Sequence, residues 1–224
     1  LRLCLMKKQG RPLRTTILTA LDSVIHRNLW RSFPLFCWGM NKILGCNCRF
    51  QSITEPFTIY SDGPITTLTE EFSTGVRLNN CDTRKQRSDL WSEPGFREKF
   101  IMEWDSGRYA TSPRDLSLVK VVDCPLSQWV GKTVHEVASL CSMDPTDCFA
   151  NLLIEYDTDF RWVVTGANDR HTQRLTLLGH EHILPGFTDA GAHNRNLAYY
   201  DGSVSFLRQA MQTRFMSMER AVSR

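Results

Sequence analysis

The stretch Ile183 to His193 (ILPGFTDAGAH) holds the residues best suited to chemistry. An apolar, strand-like run delivers a carboxylate, Asp189, and then breaks into small residues that allow close backbone approach before His193. In β/α barrels the carboxyl ends of strands carry the chemistry. An Asp there binds a metal or acts as a general base on metal-bound water. An Asp capping a helix N-terminus fits the same residues equally well. His180-Glu181-His182 is a second candidate, since i and i+2 on a strand point the same way and can reach one zinc ion. It precedes the apolar run, which favours a solvated loop.

Two other motifs dissolve on inspection. Gly131-Lys132-Thr133 matches the end of a phosphate-binding loop, but its first Gly would fall on Leu126, so the backbone cannot wrap a phosphate. His135-Glu136 begins a zinc-protease pattern whose second His is Ser139. Both sets belong to a helix start, because Thr133 and Glu136 form a capping box. Val134, Val137, Ala138 and Cys141 follow at helical spacing.

The elements that position these residues are partly readable. Asp144 caps a second helix with Pro145 at its first position and Phe149, Leu152 and Leu153 facing inward. The acidic residues of that helix argue against DNA reading. Helices are expected at Arg14–Asn28, Phe96–Trp104, Ser203–Gln212 and from Ser217 onward. Strands are expected at Ser32–Trp38, Leu116–Val122, Arg161–Val164 and Ile183–Phe187. Residues 49–95 read as a long irregular loop or insertion with a charged stretch at Asp82–Asp89. Helices interleaved with strands point to the α/β class.

The 224 residues carry 27 Lys+Arg and 24 Asp+Glu, a net charge of +3, too small to argue for a nucleic-acid partner. With 42% hydrophobic and 23% charged residues the composition is globular rather than disordered or fibrous. The longest uncharged stretch, Ser32–Asn41, is too short to span a membrane. LRLCLM is cut off by KKQGR before a signal-peptide core forms, so a cytoplasmic location and no membrane partner are expected. The eight Cys include no C-x-x-C pair and read as reduced, mostly buried residues.

The run Pro185–Leu207 (PGFTDAGAHNRNLAYYDGSVSFL), with MSMERAVSR after it, closely resembles the end of the catalytic barrel in the amidohydrolase superfamily, of the N-acyl-D-amino-acid deacylase (D-aminoacylase) type. Members show [ST]DAGAH, a helix, and a segment like M-[SP]-[LM]-E-[RE]-A-V. Upstream, Gly131–Ala138 and Asp144–Asp147 resemble the family's G-[KR]-[ST]-x-x-E-[IV]-A … D-P-x-D pair. Glu55-Pro56-Phe57 and Ser92–Arg97 resemble its N-P-F and D-P-x-[FV]-R elements. The likeness runs from about residue 20 to the end and is strongest from 131 onward.

The resemblance implies a partial (β/α) TIM-type barrel and a zinc-dependent hydrolase that cleaves the amide of an N-acyl-D-amino acid. It implies that Asp189 contacts the metal-bound water and carries its proton to the leaving nitrogen. His193 would orient that loop from behind, and Arg195 would receive the substrate carboxylate. The family's early H-x-H pair, bridging ligand and later barrel histidines have no counterpart here, and one carboxylate cannot hold a catalytic zinc. With Leu1 at the start and the break at Arg224, the expectation is one partial catalytic domain over 1–224, inactive alone, with its missing barrel half in the parent chain. The alternatives are a noncatalytic remnant acting as a binding or scaffold protein, and a small zinc protein using His180, His182, Asp189 and His193.

Overall fold

The computed structural model describes residues 2–107, 113–188, 195–197 and 199–224. In chain order its strands are β1 (Lys7–Lys8), β2 (Arg11–Pro12), β3 (Arg14–Ile17), β4 (Asn47–Ser52), β5 (Phe57–Asp62), β6 (Lys120–Asp123), β7 (Arg161–Ala167) and β8 (Ile183–Pro185). Its helices are α1 (Ser32–Ile43), α2 (Ser73–Asn79), α3 (Arg84–Trp91), α4 (Phe96–Asp105), α5 (Val134–Leu140), α6 (Pro145–Tyr156), α7 (His171–Gly179), α8 (Gly202–Thr213) and α9 (Met218–Val222). The class is α/β, and no closed barrel is formed among the described residues. The chain divides into two compact units, one of residues 1–57, 166–192 and 198–224, the other of 58–165 and 193–197.

The first unit is built on a parallel sheet of order β3-β4-β8. Strand β4 alternates strictly: Cys48, Phe50 and Ser52 are buried, Asn47, Arg49 and Gln51 half-exposed. Register extends this pattern to its neighbours, with Ile17 and Ile183 beside Phe50 on the buried face, and Thr16 beside Arg49 and Leu184 beside Gln51 on the other. Helix α1 covers the buried face with Phe33, Cys37 and Met40, spaced i, i+4, i+7. The Phe33 and Phe50 rings meet edge to face at 5.0 Å. Phe206 and Ala210 of α8, Met216 of the connection and Ala221 of α9 cluster with Leu178 of α7.

The second unit has a three-stranded sheet, β5-β7-β6, and an aromatic core. Trp104 lies 4.7 Å from Phe149 and 6.2–6.4 Å from Phe72, Phe100 and Trp162. The buried Arg87 guanidinium donates to both oxygens of Asp157 at 2.7 and 2.8 Å. Gly63, at φ +55°, sits where a Cβ would collide with the Asp157 carbonyl. The close approach lets its own carbonyl accept from Trp162 Nε1 at 2.9 Å.

Four expectations from the sequence are corrected. The helix expected at Arg14–Asn28 is strand β3 followed by irregular chain, because the β-branched run Thr15-Thr16-Ile17 joins the sheet and Leu18 and Ile25 of the apparent stripe are exposed. The strand expected at Ser32–Trp38 is helix α1; its Pro34 lies in the first turn, where no N–H is needed. Residues 49–95, expected to be irregular, contain the end of β4, β5, α2 and α3, the last started by a Thr83/Gln86 capping box within the charged stretch. Strand β6 also begins later than Leu116, because Asp115 folds Ser117 and Leu118 into a turn.

Candidate functional site

The parallel strands of the first unit end together at Ile17, Ser52 and Pro185. Beyond the ladder the chain still clings to β4: Ala20 N–H donates to Gln51 O at 2.8 Å and Gly186 N–H to Ser52 O at 3.1 Å. The carboxyl edge of such a sheet is where α/β folds gather ligands. Here it holds two hydrogen-bonded knots.

The first knot is centred on Asp22, which is fully buried. Arg170 clamps it in a fork, Nε to Oδ2 at 2.8 Å and Nη2 to Oδ1 at 2.5 Å, and that bond holds the guanidinium above its ordinary pKa. Asn168, at φ +60°, exchanges hydrogen bonds with the Asp22 backbone through its N–H and Oδ1, and its Nδ2 donates to Ile53 O at 3.0 Å. Arg174 Nη1 donates to the Asn168 carbonyl at 2.6 Å, but its buried Nε has no partner. Burial lowers the Arg174 pKa, opposed by Glu55 and Asp169. With both oxygens occupied, Asp22 is a structural clamp and not a base.

The second knot is centred on Glu55, just past the end of β4. Its Oε1 accepts from the Ser205 hydroxyl and from Gln209 Nε2 at 3.2 Å, with Arg208 3.6 Å away. Gln209 also donates to Thr54 O, and Thr54 Oγ1 to Gly202 O. Helix α8 thereby fixes a carboxylate at the carboxyl edge of the sheet. The Glu55 Oε2 has no hydrogen bond among the described residues, so this side chain retains an open acceptor.

Of the residues singled out from sequence, Asp189 and His193 lie outside the described residues. What is described is the approach to them: β8 ends at Pro185, Gly186 is held by β4, and Thr188 O accepts from Tyr199 N–H at 3.0 Å. Arg195 is exposed and donates through Nε to Asp62 Oδ2 at 2.8 Å, a carboxylate that Arg161 also approaches at 3.4 Å. The Arg195 guanidinium is therefore already paired with a carboxylate of the chain itself. His180 and His182 stand in the turn before β8 with rings 5.5 Å apart, and the His182 N–H donates to His180 Nδ1. They are half-buried, not solvated; burial is the main reason the His180 pKa is lowered, with His182 adding to it.

Among the described residues no three His, Cys, Asp or Glu side chains come together as a metal site. A catalytic zinc normally takes three protein ligands, and the described residues, which do not include Asp189 or His193, do not supply them. Nothing in the sequence marked Asp22, Asn168, Arg170 and Arg174, because a buried polar residue reads like any loop residue until its partner is known. The Asn168-Asp169-Arg170 turn directly after a strand was the available signal.

No protein-family model and no solved structure matches the chain. It is similar to uncharacterized proteins of Mycobacterium tuberculosis and Mycobacterium bovis, 33% identical over 193 residues, which is 83% of this chain and 32% of the relative. The chain thus spans about a third of the length of the curated relatives it matches.

Proposed function

We propose that the chain is part of an amidohydrolase of the N-acyl-D-amino-acid deacylase type, contributing the last strands of a TIM-type barrel and its proton-transferring Asp189. One observation carries the reading: β8 runs parallel to β4, ends at its carboxyl edge, and leads within four residues to Asp189. In this reading Asp189 takes a proton from the attacking water and returns it to the leaving nitrogen, since an amide leaves only when its nitrogen is protonated. His193 steadies the loop, and Arg195 exchanges Asp62 for the substrate carboxylate. The zinc that the resemblance implies finds no ligand set among the described residues, and its donors belong to the remainder of the longer protein.

The test is release of free D-amino acid from N-acetyl-D-amino acids by the longer mycobacterial relative. It is repeated with the matching third of that relative replaced by this chain, carrying Asp189 or Asp189→Asn. Turnover by the relative and the intact chimera, falling 100-fold or more in the variant (about 10²–10⁴ for a lost general base), supports the reading. A relative that hydrolyses no such amide, or an Asp189→Asn chimera at full rate, overturns it.

A further inference from the structure

The other end of the same parallel sheet carries a feature that amide hydrolysis does not use. The half-exposed face of the sheet, opposite α1, opens into a cavity of about 400 Å³ lined by Arg14, Arg49, Arg220 and Arg224, with Glu181, Leu184 and Ser223. Arg14 opens β3 and Arg49 lies within β4; the register puts Arg14 beside Asn47 and Thr16 beside Arg49, so both arginines stand on this face, one diagonal step apart. Arg220 and Arg224 come from α9 and its C-terminal flank. Four guanidiniums face one carboxylate.

Two of these guanidiniums are held in place without being neutralised. Arg224 donates to the carbonyls of Gly179, His180 and Ile183, and Arg220 donates to that of Gly179 at 3.1 Å. Carbonyl contacts fix a guanidinium and leave its full charge. Arg14 and Arg49 make no ion pair among the described residues, and Glu181 is exposed with its carboxylate 3.8 Å from His182 Nε2. Burial, then the neighbouring charges of Arg220 and Arg49, lower the Arg224 pKa, while Arg14 and Arg220 are exposed and Arg49 is half-buried. In the same unit the buried Asp22 has its counterpart in Arg170, whereas the cavity's four arginines have Glu181 alone among its lining residues. A ligand-sized space lined by four guanidiniums offers a matching anion several charge-assisted hydrogen bonds.

We propose that this cavity binds a small oxyanion carrying at least two charges, of the phosphoryl class, with the Arg14, Arg49, Arg220 and Arg224 guanidiniums as its donors. A phosphoryl group carries about −1.5 to −2 at neutral pH and three acceptor oxygens. Guanidinium forks match those oxygens in pairs. The site lies at the amino end of the strands and involves neither Asp189 nor Glu55, so it stands or falls separately from the hydrolase reading.

The experiment is titration calorimetry of the 224-residue chain with inorganic phosphate and with pyrophosphate, at constant ionic strength set by chloride. It is run on the wild type, Arg14→Gln, Arg49→Gln and Glu181→Gln. Arg14 and Arg49 hold no backbone carbonyl, so their replacement leaves the local fold supported; circular dichroism checks this. Binding by the wild type, about tenfold or more weaker in each Arg variant and two- to threefold tighter in Glu181→Gln, supports the proposal. Pyrophosphate binds at least as tightly as phosphate. A wild type that binds neither anion, or one bound equally well by both Arg variants, overturns it. Heat that disappears when chloride is raised to match is general screening and also overturns it.

Discussion

The two units of this protein treat charge in opposite ways. In the second, the fully buried ion pair is matched, Arg87 forking onto Asp157, and the partly buried Arg114 and Glu103 are tied to Glu71, Ser73 and Thr74, although Arg114 Nε and Trp91 Nε1 have no partner among the described residues. The same unit holds an aromatic cluster around Trp104, and the Arg114 guanidinium lies over the Phe72 ring at 4.7 Å. In the first, charge is left over at both ends of a three-stranded sheet: Arg174 Nε unpaired and Glu55 half-satisfied at the carboxyl edge, four arginines with one carboxylate at the amino end. The second unit closes its fully buried charge on itself around an aromatic core. In the first unit the cluster of four arginines about a ligand-sized space, and not a lone orphaned atom, marks where an anion would bind.

The contrast is broken most directly by removing the core of the second unit. Trp104→Ala, at 1% exposure, is expected to cost about 3–5 kcal/mol in urea unfolding. Asp157→Ala leaves the Arg87 guanidinium buried without its partner and is expected to cost a similar amount, about 3–5 kcal/mol. If either change leaves the unfolding midpoint unmoved, that unit is not the stabilising one.

A smaller effect concerns acid. Burial alone raises the Glu103 pKa, but the hydrogen bonds from Ser73 and Thr74 outweigh it and the net shift is downward. A lowered carboxyl pKa stabilises the fold above its unfolded value of 4.5 and loses that contribution as pH falls through the lowered value. Glu103→Gln therefore flattens the stability profile below that point, in chemical denaturation followed from pH 6 to pH 3. An unchanged slope contradicts the assignment.

The smallest effect is read from thiols. All eight cysteines are free, with Cys37 and Cys48 Sγ 3.9 Å apart beneath α1. Burial, then Cys37, pushes Cys48 up to about 12, and burial pushes Cys148 up to about 11. Exposed Cys141 is expected to alkylate first at pH 8 under native conditions, with Cys48 and Cys148 last. Rapid labelling of Cys48 would show that α1 does not seal its face of the sheet.

Much of the second unit was legible because its signals are local. The Thr133/Glu136 capping box forms with both its hydrogen bonds, and Asp144 caps α6 through Thr146 and Asp147 N–H with Pro145 in the first turn. Phe96–Trp104 and Arg161–Val164 lie within α4 and β7 for the same reason. The first unit was legible at its end, where β8, α8 and α9 fall where expected, and misread at its beginning. Helix α1 and strand β3 were exchanged because short apolar runs fit either period, and only pairing with β4 decides between them. Most of the carboxyl-edge knots could not be read at all. Asp22 and Arg170 are far apart in sequence, and neither residue shows its partner.

Hydrogen exchange by mass spectrometry on the intact 224-residue chain tests the central contrast most directly. Amides of α4, α6 and β7 are expected to exchange at least tenfold more slowly than those of the sheet edges β3 and β8, with the arginine-lined end of the sheet gaining protection when pyrophosphate is added. Uniform protection of both units, unchanged by pyrophosphate, would contradict it.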